Sequence, residues 1–153
     1  MRSIFLSTMF LFCLILAACN NESTEKKTTT TSGEIKEEAV SYKEDTTTMN
    51  GYLVYRNSGD VKLPGVLVVH EWWGLNDYAK KRARQLAELG YVAMAVDMFG
   101  NGQLASNPDE AMQLAGPFYG DPGMAKRRLD AAIAELKKNP HVDTSKIAAI
   151  GYC

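Results

Sequence analysis

The sequence predicts an α/β fold with a mostly parallel sheet and helices on both of its faces, and three observations lead there. Apolar runs at 64–69, 91–96 and 147–151 are continuous rather than alternating, the pattern of strands covered on both sides. Segments with apolar residues at helical spacing lie between them, so strand and helix alternate along the chain. Helix starts and stops fall at the junctions, at Asn76-Asp77, Gly90, Asn107-Pro108 and Asp121-Pro122.

Taken in order, 40–42 and 52–55 have strand-like composition, with Asn50-Gly51 and 57–60 as turns around them. The 64–69 run is the first buried strand. Asn76-Asp77 caps a helix whose inward residues are Tyr78, Ala79, Ala83, Leu86 and Ala87, with Lys80, Lys81, Arg84 and Glu88 opposite, and Gly90 ends it. The second buried strand stops at Asp97. Asn107-Pro108-Asp109-Glu110 then supplies an N-cap, a first-turn proline and acids facing the positive end of the helix dipole, and Gly116-Pro117 closes that short helix. A further helix opens at Asp121-Pro122 with Ala125, Leu129, Ala132, Ile133 and Leu136 facing inward. Its Lys126, Arg127, Arg128 and Lys137 face water, and Asn139-Pro140 stops it. The run 147–151 is the third buried strand.

At 153 residues the chain holds one domain, with 46% hydrophobic residues to form its core. A net charge of -1 gives no reason to expect a nucleic-acid partner. Residues 1–18 have a basic start at Arg2, an apolar run and small residues at the end, which is the layout of an export signal. The run is shorter than the roughly 20 apolar residues a membrane span needs. Leu16-Ala17-Ala18-Cys19 resembles the lipobox of bacterial lipoproteins, which implies cleavage before Cys19 and acylation of that residue. By that resemblance the protein is exported and lipid-anchored to a bacterial membrane, on the periplasmic or cell-surface side. An ordinary secretory signal is the alternative. The polar stretch after it makes 19–38 a flexible tether, and 39–153 the folded part. Of three cysteines, Cys13 leaves with the signal and Cys19 is acylated, so Cys153 is the one free thiol and no disulfide forms.

Ligands in such sheets bind beyond the carboxyl ends of the strands. Here those outlets read His70-Glu71-Trp72-Trp73-Gly74, Asp97-Met98-Phe99-Gly100 and Tyr152-Cys153. Apolar strand, His-Glu-Trp-Trp-Gly, helix, Tyr-Val-Ala-Met-Ala-Val-Asp-Met-Phe-Gly, long helix, Asp143-Thr-Ser-Lys-Ile and Gly-Tyr-Cys together resemble the dienelactone hydrolase family of the α/β-hydrolase fold, over about residues 38–153. Gly151-Tyr152-Cys153 then resembles the first three positions of a Gly-x-Cys-x-Gly nucleophile elbow. The resemblance implies that Cys153 is the nucleophile, that Glu71 helps activate it, and that the Trp72 N–H is one oxyanion donor. The second donor is the residue after Cys153, and the family's catalytic His and Asp also follow the elbow. The expectation is therefore a fold truncated after the nucleophile strand, with no turnover by these 153 residues alone.

Trp73, Phe99 and Phe118 are candidates to line a substrate pocket, with Trp72 and Tyr119 beside them. The family's substrate-gripping arginine has no counterpart near Asn101, where Gly100 to Gly102 carry no cation. A small ester or lactone in general is implied, rather than a dienelactone. His70-Glu71 lacks the second His of a zincin, since Gly74 stands in its place, so neither metal nor cofactor is expected. His70 could act as a base or make a structural hydrogen bond. His141 falls at the far end of the last strand, and Asp97 reads as a turn residue that holds its loop. The reading from another class is a non-catalytic surface lipoprotein that uses this half-domain for binding or keeps it as a remnant.

Overall fold

A computed structural model of the chain describes residues 33–152. The signal segment, Cys13, Cys19, most of the tether and Cys153 lie outside the described residues. The elements are β1 (Ile35–Glu44), β2 (Thr47–Arg56), β3 (Leu63–Val69), α1 (Asp77–Glu88), β4 (Val92–Val96), α2 (Pro108–Gly120), α3 (Pro122–Leu136) and β5 (Val142–Gly151). One sheet in the order β1-β2-β4-β3-β5 contains all of these strands. β3 pairs in parallel with β4 and β5, while β1–β2 and β2–β4 are antiparallel, so the sheet is mixed.

The helices cover both faces, as the alternating pattern requires. Ala79, Ala83 and Ala87 bring α1 down on Val54, Val68, Ala93 and Ala95. On the other face Ala132 and Leu136 of α3 pack with Leu67, Val92, Met94, Val96 and Val142. Both predicted N-caps form. Asn76 Oδ1 accepts from the Tyr78 and Ala79 N–H groups at 3.1 and 3.3 Å, and Asn107 Oδ1 accepts from Glu110 N–H at 3.0 Å.

Four expectations need correction. β1 and β2 are ten residues each, not short strands, and β1 begins at Ile35, inside the segment read as tether. Its pairing with β2 from Ile35↔Arg56 onward orders it, and Glu37 adds a bidentate bond from Arg84 at 2.7 and 2.6 Å. Asn50-Gly51 is not a turn but lies within β2; the hairpin turns at Asp45-Thr46. Gly51 is glycine because a Cβ there would come within 2.9 Å of Met94 Cε and 3.2 Å of Ala95 O. α2 does not stop at Pro117 but continues to Gly120. The proline forfeits one hydrogen bond, while the extra turn brings Phe118 to 6.1 Å from the Phe99 ring. Arg128 does not face water: it is 8% exposed and donates to the Met98 carbonyl.

β5 also differs from its buried, apolar appearance. It is an edge strand paired only with β3 among the described residues, and Ile150 is 37% exposed. Its pairing with β3 is interrupted. Pro64 faces Asp143, and the next residue, Gly65, faces Ile147, so 144–146 loop out of the ladder. The Asp143 carboxylate closes that loop, accepting from Ser145 N–H at 3.0 Å, Ser145 Oγ at 2.6 Å and Lys146 Nζ at 2.8 Å. From there the register runs straight to Val69↔Gly151.

Candidate active site

The parallel strands β3, β4 and β5 end on one side of the molecule, where their outlets and α2 enclose a cleft of about 420 Å³. The β3 outlet contributes His70, Glu71 and Trp72; the β4 outlet contributes Met98 and Phe99. Phe118 and Tyr119 of α2 form another wall, and Tyr152 stands at the end of β5. Cys153 follows Tyr152 and lies outside the described residues. Glu71 is half-buried, and its carboxylate has no side-chain bond among the described residues. Trp72 reaches the cleft while still 39% exposed. Trp73, expected in the pocket, does not line it: its ring packs edge-on against Trp72 at 5.1 Å and its carbonyl accepts from Ala105 N–H at 3.1 Å.

Two buried side chains hold the outlets. Asp97, fully buried, accepts from Gly100 N–H at 2.8 Å through Oδ1, and from Gly102 N–H at 2.8 Å and Asn50 N–H at 3.0 Å through Oδ2. One carboxylate thus shapes the 97–102 loop and fastens it to β2. His70, 6% exposed, accepts from Met98 N–H at 3.1 Å through Nε2. That nitrogen is therefore unprotonated, and Nδ1 carries the proton and donates to the Glu71 carbonyl. The Phe99 ring lies edge-on to the imidazole at 4.7 Å. Both ring nitrogens are engaged in structure, which leaves His70 no free nitrogen for general-base work. Burial pushes its pKa below the usual range, against the opposing effects of the Glu71 carbonyl and the Asp97 charge.

The β3 and β4 outlet loops touch at Gly74. Its φ is +90°, and a Cβ there would lie 2.5 Å from the Gln103 carbonyl oxygen, so only glycine fits both the conformation and the approach. Arg128, which the sequence reading sent to solvent, supports the floor of the cleft. Besides its bond to Met98 it lies 5.1 Å from the Phe118 ring and 3.9 Å from the Glu44 carboxylate. A signal existed, because position 128 is three after Ala125 and four before Ala132 on the inward stripe. His141 sits at the opposite end of β5, 5.2 Å from the Tyr55 ring and 3.3 Å from Ser58 Oγ. Among the described residues no three His, Cys, Asp or Glu side chains converge where they could hold a metal ion.

An α/β domain with its cleft beyond the parallel strand ends, lined by a Glu-Trp pair from the β3 outlet and by Tyr152 after β5, has the layout of an α/β-hydrolase. The comparisons agree: residues 49–153 match the Dienelactone hydrolase family, and the chain belongs to it. The match starts at Met49, inside β2. A structure described as m3DLH superposes with a TM-score of 0.75 at 36% identity, over 79% of this chain and 50% of that one. A dienelactone hydrolase-like promiscuous phosphotriesterase from metagenomic libraries gives 0.74 at 39% identity, with the same coverage of 79% and 50%. Protein usf of Aquifex pyrophilus is 29% identical over 126 residues, 76% of this chain and 50% of that protein. The chain thus spans about half the length of these relatives.

Two outcomes follow from this geometry. Asp97→Ala removes the acceptor of three backbone N–H groups, that of Gly100 buried, and should cost about 3 kcal/mol in urea unfolding, whereas a loss below about 1 kcal/mol would contradict the clasp. His70 is held neutral in the folded state while the unfolded chain takes up a proton near about pH 6.5. Its contribution to stability is therefore complete above that pH and declines as the pH falls below it. The urea midpoint should drop between about pH 7.5 and 5.5 in the wild type and stay flatter in His70→Asn. Parallel profiles would contradict it. Glu37 is held down at about 2 by the Arg84 hydrogen bond and enters only in stronger acid.

Proposed function

We propose that the protein hydrolyses a small, uncharged ester or lactone through Cys153. The observation that carries this reading is the parallel register of β3 and β5. Val69 pairs with Gly151, so the chain that runs on from Val69 to Glu71 and the chain that runs on from Gly151 leave the sheet at the same end. In sequence Glu71 and Cys153 each follow their strand's paired residue by two positions. The cysteine thiolate attacks the carbonyl carbon, and the carbonyl π electrons move onto oxygen. The Trp72 N–H and the N–H following Cys153 stabilise that oxyanion. Collapse expels the alcohol oxygen, which takes the proton that the thiol gave up, and leaves a thioester. Water then attacks the thioester, releases the carboxylic acid and returns the thiol.

In this reading Glu71 biases the protonation of the attacking sulfur. The proton-transfer base belongs to the part of the family's length that these residues do not span. Support for an uncharged substrate comes from the walls: Trp72, Phe99, Phe118 and Tyr119 supply apolar surface, and the Gly100–Gly102 loop offers no cation for a carboxylate. A lipid on Cys19 would hold this cleft at a membrane surface through the 20–32 stretch.

The test is turnover of p-nitrophenyl acetate by the full-length protein. Cys153→Ala should lower kcat/KM by about 10³-fold or more, the scale on which a covalent nucleophile acts. Retention of more than about a tenth of the activity would remove Cys153 from the reaction. Cys19→Ala should move the expressed protein from the membrane fraction to the soluble one, and a variant that stays membrane-bound excludes the anchor.

A further inference from the structure

We propose that His70 is the positioning residue of the oxyanion site: it grips the Glu71–Trp72 peptide unit by its carbonyl and so aims the Trp72 N–H. The inference rests on the hydrolase reading for its consequence, but its geometry stands by itself.

A peptide unit is planar and trans, so its C=O and N–H point in opposite directions, and fixing one end fixes the other. The Glu71 carbonyl and the Trp72 N–H belong to one such unit. His70 Nδ1–H donates to that carbonyl, and the tautomer is not free to change, because Met98 N–H already occupies Nε2 at 3.1 Å. The other donor near the carbonyl, Gly74 N–H, is at 3.4 Å, too long to hold the unit by itself. Among the described residues the Trp72 N–H donates to no backbone or side-chain acceptor, so it is available to an oxygen in the cleft. A hydrogen bond to the carbonyl also polarises the unit and makes its N–H the better donor.

The imidazole itself is braced. It is 6% exposed, meets the Phe99 ring edge-on at 4.7 Å, and is tied to a Met98 whose own carbonyl accepts from Arg128. A continuous chain of contacts therefore runs from α3 through Arg128, Met98 and His70 to the Trp72 N–H. This explains why a buried histidine stands beside the candidate site with no nitrogen left for proton transfer.

Two substitutions separate the two bonds of the ring. An Asn amide nitrogen reaches the place of Nδ1, and a Gln side chain reaches the place of Nε2. His70→Asn should keep the grip on the Glu71 carbonyl, while His70→Gln should keep the Met98 link and lose the grip. In the full-length protein, His70→Gln is expected to lower kcat about 30-fold with KM within about threefold, since an oxyanion donor acts in the transition state. His70→Asn should recover about tenfold of that loss. Equal loss in both variants, or a loss confined to KM, overturns the proposal. A second readout needs no turnover: long-range ¹H–¹⁵N NMR should find the Nδ1–H tautomer, and the Trp72 amide resonance should move further in His70→Gln than in His70→Asn. An Nε2–H tautomer overturns the proposal even if esters are hydrolysed. The expected NMR pattern without ester hydrolysis upholds the grip on the peptide and refutes the reaction.

Discussion

The parallel pairing of β3 with β5 is the constraint from which the site follows. A shift of one residue in that ladder would turn every side chain of the outlet to the other face of the sheet. The register is fixed locally. Three residues, 144–146, are looped out between Asp143 and Ile147, and the Asp143 carboxylate binds the loop shut through Ser145 and Lys146. Those bonds hold the Asp143 carboxyl down at about 2, Lys146 contributing most. After the loop the two strands advance together, so whatever follows Gly151 emerges beside whatever follows Val69.

What the strands bring together, buried polar groups then hold. Asp97 binds the β4 outlet to itself and to β2; His70 joins the β3 outlet to the β4 outlet; Arg128 ties both to α3. Each is buried, and each bonds to backbone groups of another segment. Buried polar groups of this kind cost stability when unpaired and fix geometry when paired. The cleft wall is apolar, while the Glu71–Trp72 peptide unit beside it is fastened. That division suits acyl chemistry, in which the acyl group varies and the developing charge always falls in one place.

How much of this the sequence disclosed depends on how local each cause was. The caps at Asn76 and Asn107 were legible because a capping side chain and its N–H partners lie within three residues. The three outlets were legible because continuous apolar runs ended at reactive and aromatic residues. Gly51 was misread because Asn-Gly is the signature of a turn, whereas its actual reason is the approach of Met94 and Ala95 from another strand. Arg128 was misread because a guanidinium in a run of cations looks solvated, and its partners at Met98, Phe118 and Glu44 are distant in sequence. The turning of Trp73 away from the cleft, while Trp72 lines it as expected, was likewise out of reach. Periodicity stops where the strand stops, and the bond from Ala105 N–H to Trp73 comes from the other loop.

The central claim, that the ends of β3 and β5 meet at one site, is open to a direct distance measurement. A nitroxide attached to the Cys153 thiol, with Cys13 and Cys19 replaced by Ser, should broaden the amide signals of Glu71, Trp72 and Gly74. At about 3.3 Å per residue the other end of β3 is roughly 20 Å further away, so Leu63 and His141 should be far less affected. Strong broadening at Leu63 and His141 with sharp signals at Glu71 and Trp72 would contradict the account.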